Sequence, residues 1–211
     1  MSKNSLQRLA DLGQSVWLDF INRDLIDSGG LQRLIDADGL RGMTSNPTIF
    51  DEAISQDTAY DDQIRSMAAR GRSAREIYDA LSMQDVRRAA DLFRPLYDAT
   101  GGAEGYVSLE ANPYLACHTS GMIQEVRRLW AVLGRPNVLI KVPATDGGIP
   151  AIQQLTAEGI NVNVTLLFSL SRYRQVAEAY IAGLEARAER GLPLAVSSVA
   201  SFFVSRIDAK L

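Results

Sequence analysis

The chain has 211 residues, 46% hydrophobic and 22% charged, with a formal net charge of −3. That length holds one sizeable core, and the near-neutral balance argues against a general affinity for nucleic acid, which calls for a basic patch. One cysteine, Cys117, excludes an intramolecular disulfide and suits a reducing, cytoplasmic setting. No run reaches the length of a membrane span, and the polar start MSKNSLQRLADLGQ lacks a signal-peptide core. One histidine, His118, leaves little room for a His-based metal site or a Ser-His-Asp triad. Cys117 and His118 are read as structural or incidental.

In chain order, short apolar runs of strand length stand at SVWLDF (15–20), GMTSN (42–46), GYVSLEAN (105–112), NVLIKVPA (137–144), NVNVTLLFS (161–169) and PLAVSSVASFF (193–203). Between them lie stretches with helical spacing at 74–93, 119–134 and 171–191; Ser171 is placed to cap the last and Gly191 to end it, with Pro193 beyond. The glycines at 101, 102 and 105 mark a turn before a strand. Strand–helix alternation predicts an α/β fold with a parallel sheet, in a single domain over 1–211.

The strands carry a second pattern. Inner strands of a parallel sheet are normally apolar on both faces. Here Asn161, Asn163 and Thr165 alternate with valines and a leucine, Ser108, Glu110 and Asn112 share one side, and so do Ser197 and Ser201. A polar face must meet hydrogen-bonding partners, since a buried unpaired polar group costs roughly 1–3 kcal/mol. A barrel interior holding a polar ligand near its mouth meets that demand. A doubly wound sheet would more often show a glycine-rich phosphate turn, and neither GxGxxG nor GxxxxGK[ST] is present. The expected fold is therefore a TIM-type (β/α)8 barrel, with its site at the C-terminal strand ends.

Three titratable groups sit in or at the ends of such strands. Lys141 lies among Val138, Leu139, Ile140 and Val142. Pointing inward, it would be desolvated, which favours the neutral amine that attacks carbonyls to form a Schiff base; the alternative is a lysine snorkelling to water. Glu110 could act as general acid or base, or form a structural ion pair. Asp19 could move a proton at a substrate hydroxyl, or simply cap a helix. Asn46 precedes Pro47, which biases it to extended backbone, and it could equally be a turn residue. Asn163, Thr165 and Ser201 could hold sugar hydroxyls or a water. Arg206 after the last strand could grip phosphate or be an ordinary solvated arginine.

The segments WLDFINRDLI, GMTSNPTIF, VSLEANPYLA, NVLIKVPATDGGIPAI, GINVNVTLLFS and ASFFVSRID, spread over the whole chain, resemble the transaldolases of the longer bacterial type. The resemblance implies a class I aldolase barrel. Lys141 would be the Schiff-base nucleophile, Asp19 the proton carrier in carbon–carbon cleavage, Glu110 a residue acting through a catalytic water, and Thr165 the holder of that water. Asn46, Asn163 and Ser201 would bind substrate and Arg206 its phosphate. It further implies sugar-phosphate substrates, with a dihydroxyacetone unit moved from sedoheptulose 7-phosphate to glyceraldehyde 3-phosphate, giving erythrose 4-phosphate and fructose 6-phosphate. No metal or organic cofactor is implied, nor any nucleic-acid or membrane partner.

Only about six strands can be counted where the barrel has eight, and 70 residues follow Lys141. The expectation is a barrel incomplete at its C-terminal side, closed by a missing segment or a second chain. The short fructose 6-phosphate aldolase branch is of similar length, but places its lysine earlier. Two other readings stay open: a related class I aldolase releasing a free fragment, and an inactive barrel fragment acting only in association.

Overall fold

A computed structural model describes residues 3–209. The chain divides into two compact units, one of residues 1–109 with 135–138 and the other of 110–134 with 139–211. Among the described residues six strands lie in the order β1-β2-β3-β4-β5-β6, and the pairs β1–β2, β2–β3, β4–β5 and β5–β6 are parallel. Sequential order with parallel neighbours is that of a β/α barrel, whereas in a doubly wound sheet the strand order reverses midway. The expected fold class is borne out as a partial barrel of this type.

The first unit runs α1 (Ser5–Asp11), β1 (Trp17–Asp19), α2 (Arg23–Asp27), α3 (Gly30–Asp38), β2 (Gly42–Thr44), α4 (Pro47–Gln56), α5 (Asp61–Ala69), α6 (Ala74–Ala99) and most of β3 (Tyr106–Glu110). Its largest helix, α6, starts on a capping box: the Ser73 hydroxyl accepts from the Glu76 N–H, and the Glu76 carboxylate accepts from the Ser73 N–H at 2.9 Å. Its buried residues Ser82, Val86, Ala89, Ala90 and Phe93 fall at helical spacing on one face. The helix runs six residues past the expected end at 93, carrying Pro95 inside it and closing where the Thr100 hydroxyl donates to Leu96 O at 2.9 Å.

Two features fix β1. The Trp17 ring lies over Gly42, its register partner, where an added Cβ would stand 2.4 Å from the indole. Trp17 also stacks on Tyr106 with ring centroids 6.4 Å apart, so the layer below Asp19 is filled by rings across a glycine. Beyond β1, the buried Arg23 opens α2. Its Nε and Nη2 donate to Asp85 Oδ1 at 3.2 and 3.1 Å, and its guanidinium lies 4.3 Å above the Tyr60 ring. Tyr60 donates to Asp85 Oδ2 at 2.8 Å and accepts from the Arg23 backbone N–H at 2.9 Å. Burial, and then the neighbouring Asp85 carboxylate, push the Tyr60 phenol far above its ordinary range, so it stays a donor.

The second unit contains α7 (Thr119–Leu133), nearly all of β4 (Val138–Pro143), α8 (Gly148–Glu158), β5 (Val162–Leu167), α9 (Leu170–Glu189), β6 (Ser198–Phe202) and α10 (Val204–Asp208). His118 is the N-cap of α7, its Nδ1 accepting from the Gly121 N–H at 2.9 Å, which bears out its structural reading. Gly134 ends α7 with φ of 57°, a conformation glycine adopts without a steric penalty. Ser171 does not cap α9. The cap is Ser169, whose hydroxyl accepts from the Arg172 N–H at 3.2 Å, and the helix starts at Leu170. Ser197 lies before β6, and its N–H donates to Asn161 Oδ1 at 2.8 Å. Asn112 lies past β3 and accepts from the Tyr114 N–H at 3.2 Å, capping a short 3-10 turn at Pro113–Leu115. No helix among the described residues is long and apolar enough to cross a membrane.

Removing one partner of the buried ion pair strands the other, so Asp85→Ala should lower unfolding stability by about 3–5 kcal/mol in urea denaturation. A loss below about 1 kcal/mol would show the network to be dispensable. At the start of α6, the Ser73 backbone N–H, then the Arg72 guanidinium, hold the exposed Glu76 carboxyl down at about 2. Because that value lies below the ordinary one, the stability Glu76 lends is present above the usual carboxylate range and lost as pH falls through about 2. A carboxyl-carbon NMR titration should place the Glu76 midpoint there, and an ordinary midpoint would refute the box.

Candidate active site

In the second unit the register of the strands builds a polar row. Lys141 on β4 pairs with Asn163 on β5, and Pro143 with Thr165. In that ladder Ile140 pairs with Val162 and donates its N–H to Asn161 O at 3.1 Å, one residue before its partner. The Ala111 N–H donates to Lys141 O at 3.3 Å, and the same offset sets Ala111 beside Val142 and Glu110 beside Lys141. Register partners in a parallel pair point to the same face, so Glu110, Lys141 and Asn163 form one row across three strands, with Thr165 one step further along β5. Ser201 on β6 joins it, donating its hydroxyl to Asn163 Oδ1 at 2.7 Å.

Burial sharpens this. Lys141 is 8% exposed and Asn163 1%, while Glu110 and Thr165 are half-buried. On the opposite face Val138, Ile140, Val142, Val162 and Val164 are buried and apolar. Lys141 is thus buried within its strand and does not snorkel onto the surface.

In the first unit β1 and β2 make a second polar pair. Asp19 and Thr44 are register partners, and the Thr44 hydroxyl donates to Asp19 Oδ1 at 2.5 Å. Thr44 pairs in turn with Ser108 on β3. Asn46 has the extended backbone expected before proline, φ −148° and ψ 171°, and is the N-cap of α4, its Oδ1 accepting from the Ile49 N–H at 3.0 Å. Its structural role is therefore a helix cap.

Arg206 lies outside the row, exposed on α10, with its guanidinium 4.8 Å over the Phe203 ring. Phe203 stacks on Phe168 at 6.1 Å between centroids and 18° between planes. Phe168, Phe203 and Thr44 escaped the sequence reading. Thr44 was signalled by its place between Gly42 and Asn46 at strand period, whereas the stack joins residues 35 apart with no shared pattern.

The comparisons with known proteins agree with one another. The family model described as Transaldolase/Fructose-6-phosphate aldolase matches residues 16–211. A transaldolase of Thermobifida fusca (strain YX) is 50% identical over 207 residues, covering 98% of this chain and 56% of that protein. Transaldolase 2 of Streptomyces coelicolor is 48% identical over 209 residues, covering 99% and 56%. A transaldolase of Trichodesmium erythraeum is 46% identical over 212 residues, covering 100% and 56%. The chain thus spans about 56% of the length of these curated relatives.

Ser201→Ala removes the donor to a buried Asn163 oxygen, and should lower unfolding stability by about 1–3 kcal/mol. Equal urea midpoints for the two proteins would show that this bond does not hold the row.

Proposed function

The chain belongs to the transaldolase/fructose-6-phosphate aldolase family, and from that premise we propose that Lys141 is the Schiff-base nucleophile of a transaldolase reaction. The observation that carries the reading is a lysine 8% exposed within an apolar strand, with Glu110 and Asn163 in register on its two sides.

In the proposal the Lys141 Nζ attacks the C2 carbonyl of a ketose phosphate such as sedoheptulose 7-phosphate. Glu110, acting through a water that Thr165 holds, moves the protons by which the carbinolamine loses water and becomes an imine. Asp19 then accepts the proton of the C4 hydroxyl as the C3–C4 bond breaks. The electron pair of that bond passes into the protonated imine, which becomes an enamine, and the aldose phosphate leaves. Addition of the enamine to glyceraldehyde 3-phosphate and hydrolysis of the new imine give fructose 6-phosphate. The imine is the electron sink, so this chemistry needs no metal or organic cofactor. Asn46, Asn163 and Ser201 hold substrate hydroxyls, and Arg206 on its Phe203 platform takes a phosphate, as a planar fork of donors does well.

The Thr44 hydroxyl supports Asp19 in this role, since a donor from the next strand keeps the carboxylate aimed. The proposal includes a further polypeptide segment that closes the barrel, because eight strands make one and six are described. Phe202 and Val204, in and just after β6, are 41% and 58% exposed, which is surface such a segment would cover. The family description also covers fructose-6-phosphate aldolases, so release of free dihydroxyacetone is the second reading.

Borohydride added with fructose 6-phosphate should fix a mass adduct on the peptide carrying Lys141, and Lys141→Ala should abolish it. A folded chain that gains no adduct would overturn the reading. An acceptor aldose should raise turnover of fructose 6-phosphate, and turnover independent of the acceptor would point to the aldolase.

A further inference from the structure

β5 is regular on one side and broken on the other. Against β4 its pairing continues through Pro143↔Thr165, and the Ala144 N–H donates to Thr165 O at 2.8 Å. Against β6 it pairs Val162 with Ser198, Asn163 with Val199 and Val164 with Ala200, then resumes at Leu167 with Phe202. Three steps along β5 match two along β6, so β5 carries one extra residue, a β-bulge. Within it Leu166 has φ of 59°, the one positive φ outside glycine among the described residues. A leucine there is strained, because its Cβ crowds the following carbonyl.

The bulge changes which side chains face where. Strict alternation would place Leu166 with Val162 and Val164 on the buried apolar face. Instead Leu166 is 44% exposed, and Leu167, fully buried, takes that place. Thr165 is thus the last residue of the polar row, tied by its carbonyl to β4 and released from the ladder on the β6 side. Bulges of this kind recur beside active sites, where they re-aim a side chain, and strained backbone persists where the surroundings enforce it.

We infer that the left-handed bulge at Leu166 is a positioning device that aims the Thr165 hydroxyl at the Lys141 centre. Leu166 touches no reacting atom in this account; its backbone sets where Thr165 points. The inference rests on the role proposed above for Thr165 and Lys141.

The test is a substitution series in the full chain, read by the rate of borohydride trapping with fructose 6-phosphate and by the thermal midpoint. Leu166→Gly and Leu166→Asn tolerate positive φ and should trap within about two-fold of the parent, with no lower midpoint. Leu166→Val, whose β-branch disfavours that conformation, should trap at least about ten-fold more slowly, the scale of a lost proton-transfer contact. Leu166→Ala, a milder change that preserves folding, should fall between them. Thr165→Val should show the same loss as Leu166→Val, and the double variant should lose no more than either, since both act through one hydroxyl. Multiplicative losses in the double variant, or a Leu166→Val protein that melts lower yet traps at the parental rate, would overturn the inference. A parent that traps nothing would instead remove the reading of Lys141 itself.

Discussion

A lysine drawn almost wholly out of water into an apolar strand sets the terms for everything around it in the second unit. Burial turns Lys141 toward its neighbours, and in a parallel sheet those neighbours are fixed by register. Glu110 and Asn163 are the flanking rungs, and Asn163 is in turn held by Ser201. The opposite face of the same strands supplies Val138, Ile140, Val142, Val162 and Val164 to the helical side. The apolar packing and the polar row therefore draw on alternate residues of the same strands, so a change on one face need not disturb the other.

The first unit meets a comparable demand differently. Asp19 is exposed, and its orientation is set by a hydroxyl from the next strand at 2.5 Å. Its strand is held from both ends. Below it, Trp17 lies over a glycine that leaves room for the indole. Above it, the chain enters α2 at Arg23, which is bound to Asp85 and Tyr60 in a buried cluster. Such a cluster adds little net stability compared with an apolar core of the same size, but loses much if broken. Its effect is geometric: the backbone N–H of Arg23 is tied to Tyr60, so the exit from β1 has one path.

Period-two alternation in NVNVT, and the isolated lysine in VLIKV, are signals any parallel strand with one polar face must carry. The row and the barrel class are therefore legible in the sequence itself. What stayed hidden is what a period cannot encode. The Arg23 cluster joins residues 37 and 62 apart in sequence, and nothing local distinguishes Asp85 from other acids on an amphipathic helix. Ser169 and Ser171 are equally good caps by type, and the choice falls to Ser169 because its extended backbone directly precedes the first helical turn. Asn112 and Ser197 fit the alternation but fall outside their strands, where turn and loop hydrogen bonds claim them. Arg206 was legible as a cation after a strand, whereas its seat on Phe203 was not.

The failure of alternation at Leu166 is the most informative of these differences. A regular β5 would bury Leu166 beside Val164 and carry the polar face on to Leu167. The structure instead keeps regular pairing on the Lys141 side and accepts a strained leucine on the other. Strain that could be relieved by a single glycine persists only where something else holds the backbone, and here Leu167, fully buried, and the Ala144–Thr165 bond do so. The strand thus changes character at Thr165: before it, side-chain direction follows from the pleat, and after it, from the anchoring of one residue on each side of the kink.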